Sequence, residues 1–165
     1  MSRVMFYSGY DLLAQCLAGT SKPINGMYVE YCNGTPAEPV ITADRERSFY
    51  DALAAPYGYA RITDISAPTF RSTDATKYLN NKVRFTGLIR AQDCYGPGMV
   101  DGVSNFYAVT FVHMPDAADR TQDLIFSADT FKDSEGAFLP ITKIANTNIV
   151  VQWDVQFAVE GDESE

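Results

Sequence analysis

The chain has one histidine, one tryptophan and three cysteines in 165 residues, and this scarcity excludes more chemistry than any motif supplies. A Ser/His/Asp or Cys/His catalytic set would have to use His113, and no second histidine exists to complete a zinc site. Cys16, Cys32 and Cys94 are odd in number and lack C-x-x-C spacing, so neither a disulfide framework nor a structural metal is expected; buried free thiols are the better reading. Long apolar runs are also missing. No window approaches the roughly 20 apolar residues of a membrane helix. The apolar stretch near the N-terminus is interrupted by Tyr10, Asp11 and Gln15, short of a signal-peptide core. A reducing, aqueous setting without membrane contact is expected. Positive charge is in deficit: Lys plus Arg number 13 against 21 for Asp plus Glu, a net charge of −8 with no basic cluster, which argues against nucleic-acid binding. G-x-S-x-G, H-E-x-x-H, G-x-G-x-x-G and phosphate-loop patterns are absent. No catalytic residue, metal or cofactor is expected.

What is present is strand periodicity. In 147–159, Ile149, Val151, Trp153, Val155, Phe157 and Val159 alternate with Gln152, Asp154 and Gln156, the two-residue period of a long, half-buried antiparallel strand. The pattern predicts a central element with Trp153 between layers. In 82–90, Val83, Phe85, Gly87 and Ile89 oppose Lys82, Arg84, Thr86 and Arg90. Segment 105–113 is apolar on both sides, with Tyr107, Val109 and Phe111 opposite Phe106, Ala108 and Val112, and reads as the core strand. Segments 26–31, 57–65, 124–128 and 137–144 are further strands, the last two joined across a turn at Asp133 to Gly136. Two short helices are expected: 9–18, capped near Ser8 and stopped at Gly19, and 44–54, stopped by Pro56. The Asp44, Arg45, Glu46, Arg47 run reads as a solvated first turn.

At this length one β-rich domain spanning 1–165, with a short acidic tail at 161–165, can bury roughly 70% of its unfolded surface without disulfides or metals. The fold class is all-β: an antiparallel sandwich or jelly-roll-like arrangement of about seven strands with two short helices near the N-terminus, α+β being the alternative. His113 reads as a packed or strand-edge residue. Asp116, Asp119 and Asp123 lack the spacing of a calcium loop and read as solvated turn carboxylates. The glycine-rich 95–102 connection, YGPGMVDG, reads as a protruding hairpin loop between two strong strands, and its Tyr95, Gly96, Met99 and Asp101 are the candidate interface residues.

The runs RTQDLIFSADTFKD and LPITKIANTNIVVQWDVQF, together with NGMYVEYCNG and KYLNNKVRFTGLIR, resemble small virion structural proteins of tailed bacteriophages. The resemblance spans roughly the whole chain, lies in short phrases rather than a diagnostic motif, and carries over no functional residue. It implies a non-enzymatic virion protein, assembled in the bacterial cytoplasm. Such a protein works by symmetric contact with itself, as a homo-oligomer such as a trimer, and with the major capsid protein or another virion protein. A capsid decoration or cement protein is the first reading and a tail-associated recognition or adaptor module the second. A hydrolase-type enzyme using His113 is the third. The high tyrosine and phenylalanine content, ten of each, suits both a β core and contact surfaces.

Overall fold

A computed structural model of the chain describes residues 4–71, 82–93 and 103–156. In chain order the elements are β1 (Val4–Met5), α1 (Tyr7–Leu17), β2 (Gly26–Cys32), α2 (Arg47–Asp51), β3 (Tyr57–Ile62), β4 (Ile65–Arg71), β5 (Lys82–Ile89), β6 (Val103–His113), β7 (Leu124–Thr130), β8 (Ile141–Ile144) and β9 (Ile149–Gln156). The strands form two antiparallel sheets packed as a sandwich. The larger runs β1-β7-β6-β2-β3, with β8 also paired to β6, and the smaller runs β4-β5-β9. The fold is therefore all-β, with nine described strands in place of about seven; β1 and β4 are the additions.

β6 is the core strand its two-sided apolarity predicts, paired with β2, β7 and β8. Its alternation is broken by a bulge: Glu30 pairs with Ala108 and Tyr31 with Phe106, skipping Tyr107. The extra residue reverses the facing on one side of the bulge. Phe106 thus joins Val109 and Phe111 in the core between the sheets, while Tyr107 joins Cys32 and Ala108 on the other face. From the small sheet, Phe85, Ile89, Val151 and Trp153 enter the same inner core. The Phe111 ring lies 4.7 Å from Trp153 and 5.4 Å from Phe85, centroid to centroid.

Trp153 is buried between layers as its pattern predicts, and Val150 and Gln152 are exposed. β9 is nevertheless not central: it lies at the edge of the small sheet, paired only with β5. The period-two signal reports which face of a strand is buried and is silent on how many neighbours it has. Segment 57–65 is likewise two elements. β3 ends at Ile62 in the large sheet and β4 begins at Ile65 in the small one. β5 and β6 also belong to different sheets, so these two strands do not pair with each other.

α1 packs on β7 at its glycine. A Cβ on Gly9 would lie 2.2 Å from the Phe126 carbonyl oxygen, so only glycine permits this approach. Ser8 does not cap the helix: the N-cap is Phe6, without a side-chain cap, and the Ser8 hydroxyl donates to the Ile125 carbonyl at 2.5 Å. The expected stop holds. Gly19 has φ +90°, and the Gly19 and Thr20 N–H groups close onto the Cys16 and Gln15 carbonyls. The outer face of the large sheet is covered by the chain between β2 and β3, through Ile41 and the α2 residue Tyr50, which pack against Tyr28, Val112 and Phe6.

Candidate functional site

The interface candidates Tyr95, Gly96, Met99 and Asp101 lie outside the described residues, as does Cys94. His113 is packed, 9% exposed, with Nδ1 2.7 Å from the Pro23 carbonyl, to which the ring N–H donates. Cys32 is buried as expected and its thiol is pushed up by burial, whereas Cys16 is exposed on α1. Among the described residues no group of His, Cys, Asp and Glu could hold a metal ion.

Two charge pairs lie under the outer face of the large sheet, and both revise the sequence reading. Arg45 is no solvated first-turn residue. Its Nη1 reaches 2.8 Å from Oε1 of Glu30 on β2, with side chains 6% and 0% exposed. The guanidinium also stacks 3.8 Å from the Phe49 ring centroid and 5.4 Å from that of Tyr50. Arg45 follows a turn at 43–44, its N–H donating to the Thr42 carbonyl, and Glu46 is extended, so α2 begins at Arg47 rather than near Asp44. Asp123 is no solvated turn carboxylate either. It accepts Arg61 Nε at 2.6 Å and Nη2 at 2.8 Å in a bidentate fork, and the Tyr28 hydroxyl at 2.5 Å. Arg61 also donates to the Asp116 and Ala117 carbonyls, which fixes the loop that carries Asp123. Asp116 and Asp119 do behave as turn residues, accepting from the Ala118 and Thr121 N–H groups.

Tyrosines bind this layer together. Tyr28, Tyr50 and Tyr59 form a ring cluster with centroids 4.7 to 5.2 Å apart, and the Tyr50 hydroxyl bonds that of Thr110. Burial holds Tyr28, Tyr50 and Tyr107 well above the ordinary phenol value; Asp123 adds to this at Tyr28, and Glu30 adds to it at Tyr50 and Tyr107. These phenols stay protonated at neutral pH, and those of Tyr28 and Tyr107 donate to the Asp123 and Glu30 carboxylates. Burial also pushes the Glu30 carboxyl up, against the opposing pull of Arg45 and Tyr107. The signal available in sequence was a lone charge at Glu30 within an otherwise apolar GMYVEYC strand, which requires a buried partner.

A cleft of about 320 Å³ opens beside this layer, lined by Tyr7, Ser8, the 43–47 segment and Asp123 to Ile125. The buried charges in its lining, Arg45 and Asp123, are paired with Glu30 and Arg61, which do not line it, so it offers shape and a rim of Asp44, Glu46 and Arg47. The more distinctive surface is on α1. Tyr7, Tyr10 and Leu17 fall on one side of the helix at 69%, 59% and 91% exposure, with exposed Ala14 between them. Comparison of the chain with protein-family models, with curated proteins and with solved structures gives no match.

Proposed function

We propose that this chain is a non-enzymatic structural protein of a tailed-bacteriophage virion, a decoration or cement protein that stabilises the capsid by symmetric contacts with itself and with the major capsid protein. The virion setting rests on the sequence resemblance. The observation that carries the contact reading is the exposed Tyr7, Tyr10 and Leu17 stripe, an apolar helix face of the kind that marks interaction sites. The ionisable groups support the same reading, because the buried carboxylates Glu30 and Asp123 are each closed by an arginine and His113 is tied to a backbone carbonyl.

A tail-associated recognition module is the second reading, favoured by the cleft beside the exposed Tyr7 ring. Quantifying the chain in purified heads and tails separates the two. Decoration predicts a fixed ratio to the capsid protein, and a tail module predicts the chain only in tail fractions. Tyr10→Ser with Leu17→Ser tests the contact face: it should reduce incorporation into particles while leaving the melting temperature of the free chain unchanged.

A further inference from the structure

The two edges of the small sheet are built differently. β4 carries Pro68, and its pairing with β5 slips between Ser66 and Thr69. A proline without an N–H and an irregular ladder are two devices by which natural sheets stop an edge from adding another strand. β9, at the opposite edge, has neither. Its eight residues pair with β5 in unbroken register from Ile89↔Ile149 to Lys82↔Gln156, and IVVQWDVQ contains no proline, glycine or lysine. Its one charge, Asp154, is neutralised within the sheet by Arg84 at 2.6 Å and Lys82 at 2.9 Å. Among the described residues no strand pairs with its free side.

In an antiparallel ladder the N–H and C=O groups of alternate residues point to opposite neighbours, so about half of those on β9 point away from β5. The surface complementary to such an edge is another extended backbone. The large sheet offers no equal alternative among the described residues: β1 is two residues long, β8 is four, and β3 contains Gly58 and the pinned Arg61. β9 can also satisfy itself. An antiparallel pair of identical strands about a two-fold axis is isologous, each copy supplying the donors the other lacks. Exposed Val150 would gain cover, and no uncompensated charge would enter the seam.

We propose that β9 is a homodimerisation edge, pairing antiparallel with β9 of a second copy so that two three-stranded sheets become one six-stranded sheet. The inference gives the assembly reading one of its self-contacts and rests on that reading for its purpose, while its geometry stands on the strand edge alone.

Sedimentation velocity on the full chain from about 1 to 100 μM tests it. The wild type should dimerise within that range, and Val150→Lys with Gln152→Lys, both at exposed positions, should weaken association at least tenfold by setting like charges across the seam. Thr69→Lys on β4 should leave the dimer intact. Amide hydrogen exchange along 149–156 needs no variant: it should slow as concentration rises, which keeps the test decisive if the double variant fails to fold. A dimer indifferent to the β9 lysines, with β9 exchange independent of concentration, overturns this inference and leaves self-association through another surface. A chain monomeric throughout yet incorporated into particles also overturns it, and spares the virion reading.

Discussion

Arg45 Nη1 lies 2.8 Å from Glu30 Oε1 with both side chains withdrawn from water, so the chain between β2 and β3 is fastened to the large sheet by a charge pair as well as by Ile41 and Tyr50. Removing one partner of such a pair leaves an uncompensated buried charge and costs about 3 to 5 kcal/mol, whereas replacing both with apolar groups of similar volume is often neutral. Arg45→Met alone should therefore unfold at much lower denaturant concentration than wild type. Adding Glu30→Leu should recover most of the loss. A double variant as unstable as the sum of the singles would show that the pair is not coupled.

Titration of Glu30 has a definite sign. The Glu30 value is raised in the folded chain by burial, so its contribution to stability is fully present below its ordinary value of 4.5 and is lost as pH rises through the raised folded value. Asp154 runs the other way. Its hydrogen bond from Arg84, then Lys82, holds it well below 3.8, so its contribution is present above 3.8 and is lost as pH falls toward the lowered value. Urea unfolding at a series of pH values should show the stability of wild type relative to Glu30→Gln falling between acid and neutral pH. For Asp154→Asn the wild-type advantage should instead build as pH rises toward about 4 and stay constant above it. Parallel profiles for either variant would remove that group from the account.

Trp153→Ala opens the core where Phe85, Phe111 and the indole meet, and such truncations cost about 3 to 5 kcal/mol. Against a domain stability of about 5 to 15 kcal/mol, this should leave the chain marginal or unfolded by circular dichroism. An unchanged melting temperature would place Trp153 on the wrong face.

Gly9→Ala separates local propensity from packing. In an exposed helix interior alanine is favoured over glycine by about 1 kcal/mol. Here the new Cβ meets the Phe126 carbonyl at 2.2 Å, so the variant should melt lower than wild type. A higher melting temperature would mean that α1 does not sit tightly on β7.

The elements read most directly from the sequence were those whose burial follows one period: β5, β9 and the Gly19 stop of α1. Period two separates inside from outside on a strand, but bulges, sheet membership and edge position depend on partners distant in sequence. That is why the Tyr107 facing, the division of 57–65 and the edge placement of β9 emerged only with the fold. The charge pairs were hidden for the same reason. Arg45 and Asp123 each sit in strongly polar local sequence, and what buries them is Glu30, 15 residues away in number, or Arg61, 62 residues away. The 95–102 connection, with its interface candidates, lies outside the described residues, and its role remains a proposal. Deleting 96–101 should leave the melting temperature within a few degrees of wild type and weaken incorporation into particles; a deletion that unfolds the chain would make the segment structural instead.

The proposal that this chain acts by contact within a virion stands or falls on its copy number in purified particles, measured by quantitative mass spectrometry against the major capsid protein. Intact heads should hold it at a fixed, reproducible ratio, reduced by Tyr10→Ser with Leu17→Ser. A chain absent from purified particles at every stage of assembly would contradict it.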